Sequence, residues 1–186
     1  MTPHGSTYVA LLRGVNVGRH NRISMAALRG LLEELGYYGV RTHLQSGNAV
    51  FRAARTSAQV AREVEAALAE KLGIEVKVLV RSRAELRAVV RANPLATQGR
   101  DGSRLLVSFL SGRPDADQLA QLAGADVAPE EFAVGRREIY LWCPSGLQNS
   151  PLVKAFSDRH LGMAATARNQ NTVAKLLELA SATEEA

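Results

Sequence analysis

Two successive stretches of this chain carry the same order of hydrophobic periods, and that repeated order restricts the fold more than any single motif does. In the first, Thr7–Arg13 reads as a strand. Ser24 stands as N-cap to a helix striped by Met25, Leu28, Leu32 and Leu35 and ended by Gly36. Val40–Leu44 and Ala49–Arg52 read as strands joined by the tight turn Gln45-Ser46-Gly47-Asn48. Thr56 and Gln59 form a capping box for a second helix, with Val60, Val64, Ala67, Leu68 and Leu72 on its apolar face and Gly73 at its end. Glu75–Arg81 closes the unit as a strand. A further helix runs from the Ser82/Glu85 capping box to Asn93-Pro94.

The second stretch repeats the order. Arg104–Leu110 is a strand, Asp115–Ala123 a helix carrying Leu119 and Leu122, and Glu131–Val134 with Glu138–Cys143 a hairpin around Gly135-Arg136-Arg137. Ser150-Pro151 opens a helix through Val153, Phe156 and His160, with Gly162 after it. A short extended piece, Ala164–Ala167, precedes a last helix striped by Val173, Leu176, Leu177 and Ala180. The expected fold is therefore α+β: two ferredoxin-like βαββαβ units, each followed by an extra helix, over residues 1–93 and 94–186. Pro94–Ser103, with its Gly and polar content, suits a linker. A lone unit of this kind leaves one sheet face bare, and a bare face should be polar. Here Tyr8, Ala10 and Leu12 oppose Val9 and Leu11, and Leu105, Val107 and Phe109 oppose Leu106 and Leu110. Both faces are apolar, so the extra helices, the other half or a second chain must cover the open side.

Composition bounds the function classes. The chain of 186 residues is 46% apolar and 22% charged, which suits a packed core and argues against wholesale disorder. Its one cysteine, Cys143, excludes an internal disulfide and a multi-cysteine metal site. Sharing a strand face with Ile139 and Leu141, it reads as a small buried hydrophobe. The longest apolar run near the start, Tyr8–Leu12, is too short for a membrane span or an export signal, so a cytoplasmic protein with no membrane partner is expected. The net charge of +5 divides into +7 over residues 1–93 and −2 over residues 94–186, and the first carboxylate of the chain is Glu33. A basic half steers anionic partners. However, 19 of the 23 basic residues are arginine in an alanine-rich chain, a pattern that coding bias also produces.

Familiar catalytic motifs are missing. There is no Walker A loop, no dinucleotide glycine fingerprint, no G-x-S-x-G elbow and no H-E-x-x-H. His4, His20, His43 and His160 lack ligand spacing, and no residue pattern specifies a metal, a cofactor or a catalytic set. Three polar clusters remain. The first is the loop after the first strand, Arg13-Gly14-Val15-Asn16-Val17-Gly18-Arg19-His20-Asn21-Arg22. Gly14, Gly18, Asn16 and Asn21 tolerate positive φ, so the loop is able to turn backbone N–H groups toward an anion, with arginines as bidentate donors. Asparagines that satisfy their own backbone would explain the same residues, though a loop of this length exceeds the usual βα connection. The second cluster, Gln45–Asn48, is by itself a hairpin turn. The third, Thr166–Thr172, leads into the last helix. N-capping by Asn169 or Asn171 accounts for one asparagine there but not for the run.

In this order the clusters resemble the bacterial family called domain of unknown function 1697. Its members carry R-G-I/V-N-V-G after the first strand, as in Arg13–Gly18, then an asparagine and a helix opening with Met, as in Asn21 and Met25. They also carry S-G-N at the hairpin, as in Ser46–Asn48, and R-N-W-N-T near the C-terminus, as in Arg168–Thr172. Two departures stand out: Gln170 replaces the usual tryptophan, and Arg19-His20 stands where members often have glycine. The resemblance implies a duplicated ferredoxin-like α+β fold and no established activity.

Three functions compete. The first is binding of a phosphate-bearing small molecule or nucleic acid. It would use Arg13, Gly14, Asn16, Gly18, Arg19, Asn21 and Arg22, with Ser46 and Asn48 beside them and Arg168, Asn169, Asn171 and Thr172 as a second wall. RNA stacking is poorly served, because Ala49-Val50-Phe51 offers one aromatic where stacking modules use several. The second is an enzyme with a cleft between the halves, for which His20 is the one candidate base. The third is a structural or interaction module, such as a homodimer, whose motif residues hold the fold, with Tyr140 and Trp142 as interface or core.

Overall fold

The computed structural model describes residues 5–123 and 127–185. His4 and the Leu122 side chain, both named above, lie outside the described residues. The described residues form fifteen elements, in the order read from the sequence except that one expected helix is two. The first seven are β1 (Ser6–Leu12), α1 (Met25–Glu34), β2 (Tyr38–His43), β3 (Asn48–Ala53), α2 (Ser57–Leu72), β4 (Val78–Ser82) and α3 (Arg83–Ala92). The next eight are β5 (Leu105–Leu110), α4 (Ala116–Ala123), β6 (Glu131–Val134), β7 (Glu138–Trp142), α5 (Pro151–Ala155), α6 (Asp158–Leu161), β8 (Ala165–Asn169) and α7 (Gln170–Glu185). They build two four-stranded antiparallel sheets, ordered β2-β3-β1-β4 and β6-β7-β5-β8. The two orders superimpose position for position, so the α+β architecture consists of two similar units.

Contacts group residues up to Arg87 with those from Lys175 onward, and Ala88–Ala174 as a second unit. Helices α3 and α7 therefore each contribute to both units. In the first unit Tyr8, Ala10 and Leu12 of β1 pack with Leu28, Leu31 and Leu32 of α1 and Val60, Val64 and Leu68 of α2. On the opposite face of that sheet Val9, Leu11 and Val50 are also buried, as the two-sided apolar pattern requires. The added C-terminal helix lies against this unit: a Cβ on Gly39 of β2 would sit 3.0 Å from Thr183 Cγ2. In the second unit Leu106, Leu110, Leu119, Ile139, Leu141, Leu152 and Phe156 form the helix-side core. On the other face Tyr140 Oη donates to Val89 O of α3 at 2.9 Å. In both units an extra helix lies against the sheet.

Local chemistry agrees with most of the expected caps. Ser24 accepts from Ala27 N at 3.0 Å, and both halves of the Thr56/Gln59 capping box form. So do both halves of Ser82/Glu85, at 2.8 and 3.1 Å. Several boundaries differ, and three of the differences have a plain local cause. Strand β2 ends at His43, because Leu44 takes a left-handed φ of 59° and begins the turn. Strand β4 starts only at Val78, after Glu75, Val76 and Lys77 have run along the wall of a cleft. The helix expected through Val153 to His160 is two short helices. Phe156 leaves helical geometry at ψ 28°, and Ser157, extended at ψ 155°, starts α6.

Candidate functional site

The β1–α1 connection folds around one side chain. Asn16, at φ 56°, donates from Nδ2 to Ile23 O at 2.8 Å and to Gln45 O at 2.7 Å, and its Oδ1 accepts from Ile23 N at 3.0 Å. Its backbone N–H donates to Asn21 O at 3.0 Å, closing the loop on itself. The side chain of Asn21, itself at φ 51°, makes a long 3.5 Å contact from Nδ2 to Gly14 O. Gly14 and Gly18 take φ of 65° and 62°, the left-handed region for which glycine has no side-chain penalty. The loop thus uses its amides on itself and on the β2–β3 turn.

That turn is equally tight. Asn48 is fully buried, and its Nδ2 donates to His43 O at 2.8 Å and to Ser46 Oγ at 2.9 Å. Gly47 O accepts from Leu12 N at 2.8 Å, and Gly47 sits at φ 79°. A Cβ there would lie 2.5 Å from Val15 Cγ2 and 2.9 Å from Leu12 Cβ. Val15 is buried, and so plugs the space between loop and hairpin. The first two sequence clusters are one structure, tied by Asn16 to Gln45.

What the brace leaves outside is the tip. Gly18, Arg19, His20 and Arg22 are exposed, Val17 is 70% exposed, and Leu44 on the neighbouring turn is 54% exposed. Among the described residues Arg19 and Arg22 form no ion pair. Arg13 is placed differently. It lines a cleft of about 670 Å³ with Gly14, Asn21, Glu65, Glu75 and Lys77. Lys77 Nζ meets Glu65 Oε2 at 3.1 Å, and Glu65 Oε1 accepts from Val78 N at 2.9 Å. The acid-free N-terminal sequence is thus not acid-free in space around Arg13. Sequence reading missed Glu65, Glu75 and Lys77, because only the fold brings α2 and the approach to β4 beside the loop.

The third cluster lies in the second unit and is knitted to the segment before β5. Asn169 Oδ1 caps Thr172 N at 2.9 Å. Gln170 N donates to Gly102 O at 3.1 Å, and Gln170 Oε1 accepts from Asn93 Nδ2 at 3.2 Å. Asn171 is exposed, but its Oδ1 lies so near Gly102 that no Cβ fits there. Arg168 is buried, donates to Thr166 Oγ1 at 2.8 Å and to Ala167 O at 2.9 Å, and burial pulls its pKa down to about 10. Its register partner is Val107. Arg81, also buried, sits opposite Val9 at the matching position of β4.

The remaining reactive groups are internal. Cys143 is buried 3.4 Å from Ser150 Oγ, which donates to Glu130 Oε2 at 2.8 Å. Burial raises the thiol pKa against the lowering effect of Ser150, with Glu130 adding to the rise. Among the described residues no group of three or more His, Cys, Asp or Glu is placed to hold a metal, and no helix is long and apolar enough to cross a membrane.

Against known proteins, the family model described as Protein of unknown function (DUF1697) matches residues 6–140. The chain belongs to the DUF1697 family. The matched span holds both parts of the braced loop, Arg13–Arg22 and Ser46–Asn48, and ends before Arg168–Thr172. Among solved structures, the DUF1697 chain is similar to the conserved bacterial protein SP0830 from Streptococcus pneumoniae. The two are 25% identical with a TM-score of 0.76, over 94% of this chain and 98% of that one. No curated protein matches the chain.

Proposed function

We propose that this DUF1697 protein binds a phosphate-bearing ligand, a nucleotide or RNA, on the exposed tip of the β1–α1 loop. The observation that carries this reading is the division of labour within the loop. Asn16 and Val15 hold it to the hairpin, while Arg19 and Arg22 stand exposed on it with no carboxylate partner among the described residues. Guanidinium groups offer paired donors to phosphate oxygens, and a pre-ordered loop loses less entropy when it binds. Arg13 supports the site from the cleft side, where Glu65 and Glu75 limit the charge it offers. Asn16, Asn48, Asn169 and Arg168 serve the reading as scaffold rather than as contacts.

Fluorescence polarisation with a labelled oligoribonucleotide and a labelled nucleotide tests the proposal at low and moderate salt. Binding that weakens with salt and falls at least about tenfold in Arg19→Ala/Arg22→Ala, the loss of charge-assisted contacts, is expected. No binding of either probe at low salt, or equal binding by the double variant, would overturn it.

A further inference from the structure

The matching order of the two units exposes a difference between them. In the first unit the connection from β1 to α1 runs through residues 13–24, and Val15 fills the space beside the β2–β3 hairpin. In the second unit the equivalent connection, from β5 to α4, has only residues 111–115. The corresponding space beside the β6–β7 hairpin stays open as a cleft of about 460 Å³. Pro114, Leu119, Phe132 and Val134 give it apolar walls, and Arg113 and Arg136 flank it. Phe132 and Val134 pair with Leu141 and Ile139, so they lie on the helix-side face of the sheet. Val134 is 49% exposed at the cleft.

Among the described residues that line the cleft, the charged ones are Arg113 and Arg136. Asp115 Oδ1 accepts from Gln118 N at 2.9 Å, capping α4. Glu138 accepts from the backbone N–H groups of Arg136 and Arg137 at 3.0 and 3.1 Å, inside the hairpin. Both carboxylates are turned to backbone donors, while the exposed Arg113 and Arg136 side chains form no ion pair among the described residues. An apolar trough with cations at its rim suits an apolar chain that ends in an anion. Its volume falls in the range of small-molecule sites, roughly 300–1,000 Å³.

We infer that this cleft binds a small amphiphilic carboxylate, its alkyl chain against Leu119, Phe132 and Val134 and its carboxylate at Arg113 and Arg136. The site shares no residue with the β1–α1 loop and does not rest on that loop's function. The test titrates the full-length, isotopically labelled chain with octanoate and with octan-1-ol, following amide shifts by NMR. Octanoate should saturate, moving amides of residues 113, 115–119 and 132–136. Arg113→Gln/Arg136→Gln should weaken octanoate by about tenfold or more, as expected for lost charge-assisted bonds, and leave octanol unchanged. Val134→Trp, which fills the trough from an exposed position, should abolish both while the spectrum stays folded. Arg19→Ala/Arg22→Ala should change neither. No saturable shift at these amides would overturn the inference. So would octanol binding as tightly as octanoate, or octanoate binding equally well to the double arginine variant.

Discussion

Asn16 makes three side-chain hydrogen bonds from one amide, two to the backbone of Ile23 and one to the backbone carbonyl of Gln45. Asn16→Ala leaves those groups unpaired and puts alanine at positive φ, so a loss of about 2–3 kcal/mol is expected. Asn21→Ala gives up only a long contact and its tolerance of φ 51°, and should cost about 1 kcal/mol. Urea denaturation of the two variants checks the order, and equal losses would contradict the brace. At Cys143 burial raises the thiol pKa, so the folded state keeps a proton that the unfolded thiol releases. That contribution to stability is present below the ordinary thiol range and is lost as pH rises through the raised folded value. Iodoacetamide should therefore label Cys143 slowly in the native protein and rapidly in denaturant. Fast native labelling would show that the thiol is open to solvent.

At the level of elements, caps and stripes were the most legible features. Ser24, Thr56/Gln59, Ser82/Glu85 and Asn169 are local devices, and each forms the hydrogen bond its spacing predicts. The break at Phe156–Ser157 was not legible, because the apolar period runs through it and only backbone geometry divides α5 from α6. The Asn16–Gln45 tie was equally hidden. It joins residues 29 positions apart, and neither segment signals the other. Glycines sharpen the point. Gly18 and Gly47 both take positive φ, but a Cβ on Gly18 meets nothing within 4 Å, whereas one on Gly47 strikes Val15 and Leu12. Gly18→Ala should cost about 1 kcal/mol and Gly47→Ala roughly 3 kcal/mol or more, read from thermal or urea unfolding. Equal costs would mean that hairpin and loop are not packed together.

For the whole molecule, the repeated order of strands and helices was legible from periodicity, and the paired strand orders realise it twice. Charge was legible only in part. The sequence placed all early cations away from acids, whereas the fold sets Glu65 and Glu75 beside Arg13 and leaves Arg19 and Arg22 as exposed cations of the loop. In the proposed function these two arginines meet phosphates while the rest of the loop is scaffold. The salt dependence of oligoribonucleotide binding reads this directly, because each phosphate contact on a single strand adds about −0.7 to the slope of log K against log salt. Arg19→Ala/Arg22→Ala should flatten the slope by about 1.4 relative to the parent protein, with an unchanged melting temperature. An identical slope in parent and variant would exclude phosphate contact by Arg19 and Arg22.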